Sequence, residues 1–165
     1  MGKIERKYLA HYINCTAPAA SGTPEYERMG KDLEEYNVEL SATVDKKKNI
    51  LGETSVTLSS YEKSATVEPY YAEKGTKLFT RLQSIVDNDL VLDDCNTDII
   101  EVKLWETETN GAYPAIKEGA VIEVTSYGGD NTGYQIPYNL HYTGIKTQGY
   151  FNPITKTFTE EAPGE

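Results

Sequence analysis

Two histidines, two cysteines and a scatter of serines and carboxylates are the side chains of this 165-residue chain that could do chemistry. Metal binding by histidine needs companion ligands at short, fixed spacings. His11 and His141 lie instead in strand-like stretches without such a set, so structural or surface roles are expected for both. Ser41, Ser55, Ser59 and Ser60 lack the Gly-x-Ser-x-Gly turn that presents a nucleophile. Gly128, Gly129 and Gly133 resemble a phosphate loop in glycine content alone. The closing Lys-Ser/Thr is missing, and a strand pattern follows where a helix would be needed. Asp130-Asn131 has neither the EF-hand spacing nor its closing glutamate. Asp32, Glu34 and Glu35 could pair as hydrolytic carboxylates, but in so charged a stretch they read as a solvated face. Cys15 and Cys95 fit neither a metal spacing nor a disulfide framework, so two reduced thiols are expected. No enzyme activity, cofactor or metal is expected.

The elements around these residues are strands with one helix. Val38, Leu40, Ala42 and Val44 alternate with Glu39, Ser41, Thr43 and Asp45, the period of a strand with one apolar face. A basic loop follows, Lys46-Lys47-Lys48-Asn49, then Ile50-Leu51-Gly52, and alternation resumes with Val56 and Leu58. Leu78, Phe79, Leu82, Ile85 and Val86 form one helical stripe, which predicts a helix over Lys77 to Asn88 with Thr76 as its N-cap.

Further strands are predicted over Tyr8 to Asn14, Ala65 to Tyr70, Ile99 to Trp105 and Ala120 to Tyr127. Gly128 to Gly133 predicts a hairpin turn, followed by a strand from Tyr134 to Tyr142 in which Pro137 cannot donate to a ladder. Thr143-Gly144 then reads as a turn into Ile145 to Phe151, and Asn152 to Thr155 as a turn into a last strand. Ala17 to Pro24 reads as a small-residue loop, Tyr26 to Tyr36 as either a short helix or an extended loop, and Glu160 to Glu165 as a loose tail. The fold class expected is mainly β: an antiparallel sandwich or barrel with one flanking α-helix. One domain spans residues 1–165, with an N-terminal arm or loop over about 1–36, a core over about 37–159 and a flexible tail over 160–165. Met1 to Lys7 has charge but no apolar stretch behind it, so no secretory leader is expected.

Charge narrows the function classes. Residues 1–88 carry 13 acidic and 12 basic side chains, while residues 89–165 carry 13 acidic and 4 basic ones, for a net charge of −10. A nucleic-acid binder needs the reverse, because phosphate contacts require Lys and Arg. Ile50-Leu51 is the other anomaly: two large aliphatics in a lysine-flanked loop mark either a fold-back onto the core or a contact with another chain.

The strings KNILGETS, EPYYAEKG and SYGGDNTGYQIP, with KYLAHYI near the start, carry a resemblance over roughly Tyr8 to Phe158. In combination they are similar to the major tail (tail tube) proteins of long-tailed phages and prophages of Gram-positive bacteria. The resemblance implies a β-sandwich with a flanking helix that assembles into six-membered rings. Stacked rings would form a tube whose channel passes DNA during ejection. It implies other tail proteins (tape measure, tail terminator, distal tail) as partners, the virion tail as location, assembly in the bacterial host cytoplasm, and no membrane. Lys46, Lys47, Lys48, Asn49, Ile50, Leu51 and Gly52 match the position of the family's inter-ring loop. Glu39, Asp45, Glu101 and Glu123, on polar phases of strands, are the residues expected to line an acidic lumen. The alternative class is a monomeric β-sandwich binding module, lectin-like or adhesin-like, using exposed tyrosines.

Overall fold

The computed structural model describes residues 2–16 and 23–160. The loop expectation for residues 17–22 and the tail expectation for residues 161–165 lie outside the described residues. The strands are β1 (Leu9–Asn14), β2 (Tyr26–Arg28), β3 (Val38–Glu39), β4 (Ala42–Lys48), β5 (Thr54–Tyr61) and β6 (Ser64–Val67). After helix α1 (Lys77–Asn88) come β7 (Asn96–Lys103), β8 (Tyr113–Val124), β9 (Gly128–Asp130), β10 (Gly133–Gln135), β11 (Tyr138–Asn152) and β12 (Thr157–Glu160). The described residues are mainly β, with one large antiparallel sheet and a single α-helix among them.

That sheet runs β2-β1-β7-β8-β11-β6-β3, with β12 added along the far end of β11. It does not stay flat. Tyr12 on β1 and Phe151 on β11 are three strands apart, about 14 Å in a flat sheet, yet their ring centroids lie 4.5 Å from each other. Tyr26 on β2, one strand further out, also reaches Phe151 edge-on at 5.8 Å. The sheet therefore folds over, bringing β1–β2 against β11–β12 and enclosing Ala10, Tyr12, Tyr26, Ile100, Val102, Ala115 and Phe151. The kink that permits this is a register shift between Tyr142 and Lys146, with Gly144 at φ 87°. Thr143-Gly144 is thus not a turn. It is a bulge inside one 15-residue strand, and glycine serves both purposes.

The opposite face carries Ile13, Ile99, Ala120, Ile122, Tyr138 and Leu140, and α1 covers it with Leu78, Leu82 and Ile85. Each such side chain contributes about 1.5–3 kcal/mol on full burial. Thr76 occupies the N-cap position but forms no side-chain cap; its hydroxyl donates to the Glu73 carbonyl at 2.9 Å. The Glu27 carboxylate of β2 accepts from the Leu78 N–H instead, while burial raises its pKa. Arg81 lies on the apolar stripe and is buried. Its guanidinium donates to the carbonyls of Asn14 (3.2 Å), Thr16 (3.0 Å), Asp94 (3.5 Å) and Asn96, tying α1 to the ends of β1 and β7.

Four further expectations are corrected or settled by the geometry. The Tyr134–Tyr142 pattern is split at Pro137, which falls between β10 and β11, where no ladder needs its missing N–H. Tyr26–Tyr36 opens with a short strand and continues as loop and turn. The N-terminal segment is no arm, since β1 sits inside the sheet between β2 and β7. Cys15 and Cys95 are both buried free thiols, and burial pushes Cys15 up to about 12.

Candidate functional site

The arm of this molecule is β4–β5. The alternating stretch from Val38 to Asp45 does not form one core strand. It breaks at Leu40-Ser41, where Ser41 takes φ 45°, and only half-buried Val38 turns toward the core. Beyond the break every residue of β4 and β5 is exposed, and the two strands pair only with each other. The register places Ala42, Val44, Lys46 and Lys48 on one face with Thr54, Val56, Leu58 and Tyr61. Thr43, Asp45, Lys47, Ser55 and Thr57 form the other. An isolated two-stranded hairpin is marginal in water. This one also presents an apolar face to solvent.

Lys46, Lys47 and Lys48 therefore belong to a strand, not to the expected loop, and the turn itself is Asn49 to Glu53. The Asn49 side-chain carbonyl accepts from the N–H groups of Leu51 (2.9 Å) and Glu53 (3.0 Å), and Gly52 supplies the positive φ of 82°. This geometry pushes the two aliphatics outward: Ile50 is fully exposed and Leu51 is 76% exposed. The tip does not fold back onto the described residues of its own body. Changing Ile50 and Leu51 together to serine is expected to leave the melting temperature of the isolated subunit within about 1 °C, because no intramolecular contact is lost. A drop of several degrees would show that the tip packs on its own body in solution.

The four acidic residues expected on one surface are not brought together. Glu39 and Glu123 share the face of the sheet that α1 does not cover, at the end away from Phe151. There a hydrogen-bonded row crosses three strands. The Thr66 hydroxyl donates to Asn139 (2.9 Å), the Asn139 amide to Glu123 (3.2 Å), and the His141 imidazole to the same Glu123 oxygen (2.8 Å). Those bonds, His141's first, hold the Glu123 carboxyl below its ordinary pKa. With Ser64 and Glu39 this is an open polar surface with no lysine or arginine among the six.

Glu101 is on the other face, half-buried and bonded to His11 at 3.1 Å, which holds its carboxyl below the ordinary range. Asp45 stands on the arm. In Glu101's case the strand alternation is correct, but pairing with β1 turns its polar phase inward, toward His11.

Among the described residues, no group of three or more His, Cys, Asp or Glu side chains converges as a metal site. A cleft of about 490 Å³ beside β1 is lined by residues of both signs, including Arg6, Arg28, Glu34 and Glu35. Its guanidiniums donate to backbone carbonyls: Arg6 to Leu9 (2.6 Å) and Tyr36 (3.1 Å), Arg28 to Lys7 (3.0 Å). The surfaces that stand out are the arm and the open polar face. No protein-family model matches the chain, and no curated protein matches it.

Proposed function

We propose that this protein is a self-assembling structural subunit of a phage tail tube. Six copies close into a ring, rings stack, and the open polar faces of Glu39 and Glu123 line a channel through which DNA slides. The observation that carries the reading is the arm: an amphipathic hairpin whose apolar face has no partner among the described residues of its own subunit. A second copy is the natural cover, because repetition around a ring buries the same face in every subunit. The sheet also ends in short edge strands, β2 and β3, each paired on one side only, whose open edges a neighbour would shield. The string resemblance supplies the particular assembly, with the tape measure, tail terminator and distal tail proteins as further partners.

Sedimentation velocity over a rising concentration series tests this directly. Growing ring-sized or larger species are expected. A strict monomer throughout the soluble range would favour a monomeric binding module.

The channel's role is passive. Carboxylates without neighbouring lysines give phosphate no place to rest. Replacing Glu39 and Glu123 with lysine is expected to leave assembly intact but make the tube retain DNA, releasing it as salt rises. Ejection unchanged by the two lysines, at low and high salt alike, would remove these residues from the channel.

A further inference from the structure

The arm tip has a counterpart elsewhere on the same molecule. Between α1 and β7 the chain bends sharply, with Asp89 at φ 49° and Leu92 at φ 56°. A leucine in the left-handed region is strained, and its side chain here gains no burial in return: Val91 is 64% and Leu92 83% exposed. Around this apolar pair stand Asp87, Asp89, Asp93 and Asp94, all exposed, with no basic residue between positions 87 and 94. The arm tip is its complement. Ile50 and Leu51 form an exposed aliphatic pair; Lys46, Lys47 and Lys48 run up the strand that leads to it, and a single acid, Glu53, closes the turn on the other side.

Other exposed apolar side chains do not repeat this arrangement. Ile145 adjoins Lys146, Ile154 lies two residues from Lys156, and Trp105 is a single ring, 40% exposed, two residues from Lys103. Two adjacent exposed aliphatics beside three or more like charges occur at the tip, with its three lysines, and at this knuckle, with its four aspartates.

We propose that the tip of one copy docks on the Val91-Leu92 knuckle of a second copy. The aliphatic pairs meet at the centre and the lysines face the aspartates around them. This rests on the self-assembly reading and names the surface that receives the arm. An interface of this form has an apolar core and a charged rim, and the rim governs which surfaces meet and in what register. The contact joins two different surfaces, tip to knuckle, so repeated head to tail it generates rings or stacks.

A charge swap tests it. Lys46→Glu with Lys48→Glu, and separately Asp93→Lys with Asp94→Lys, are each expected to weaken self-association at least about tenfold by setting like charges face to face. Both pairs of changes in one chain should restore it to within about threefold of wild type, because opposite charges meet again. All four positions are exposed, and the melting temperature of each isolated variant checks that it folds. Loss in both single-sided variants with recovery in the combined one establishes the contact. If wild type assembles while either variant assembles equally well, or the combined one fails to recover, the knuckle is not the receptor and self-assembly stands without it. A wild-type chain that never associates overturns the assembly reading and this contact with it.

Discussion

Changing Val44, Val56 and Leu58 to serine is expected to abolish self-association while the subunit keeps its fold and melting behaviour. The three side chains share the apolar face of the arm, and each is about half exposed or more. Burying what is exposed is worth about 1 kcal/mol per side chain at 25 cal/mol per Å². Three such losses amount to about 3 kcal/mol at every subunit contact, roughly a hundredfold in the association constant. The loss recurs around a ring and along a tube, so the polymer fails well before a single contact is fully lost. The arm contributes little to the body, since it is joined to it through the Leu40–Glu62 rung and makes its other strand pairings internally. The check is sedimentation of the triple variant beside wild type, with a melting curve for each. Undiminished assembly would show that the apolar face is not the contact, and a clearly lower melting temperature would show that the arm lies back on its own sheet.

The second large effect falls on the body. Arg81→Met should lower the melting temperature by about 6–12 °C, corresponding to about 3 kcal/mol for a chain of this size. Methionine keeps the apolar stem and the volume but removes every donor. The carbonyls of Asn14, Thr16, Asp94 and Asn96 then lose the cation they share, between the end of β1 and the start of β7. Arg81→Lys should recover only part of the loss, because one ammonium cannot reach four acceptors spread as a fork. Thermal unfolding followed by circular dichroism checks this. A methionine variant as stable as wild type would mean that water replaces the guanidinium at no cost.

Some of this architecture is legible in the residues alone. The stripe of Leu78, Leu82 and Ile85 predicts α1 with its observed ends, because a helix buries one face whatever lies opposite. Ile100, Val102 and Leu104 alternate onto one core because β7 has a neighbour on each side. Arg81 escapes notice as an anchor, yet a charged residue three positions after Leu78 and four before Ile85, on the buried face, is the signal that could have found it. The arm is harder. Alternation at Leu40, Ala42 and Val44 states that one face is apolar, not whose core covers it, and the break at Ser41 decides that it leaves the body. Glu39, Glu101 and Glu123 look alike in their own strands. Only the long-range pairing of β7 with β1 turns Glu101 toward His11 and leaves the other two together on the open face.

The self-assembly claim is tested most directly by negative-stain electron microscopy of the purified, concentrated protein. Rings of six subunits, or tubes with a regular axial repeat and a stain-filled channel, are the result this account predicts. A field of separate particles the size of one 18.4 kDa chain, unchanged by concentration, would contradict it.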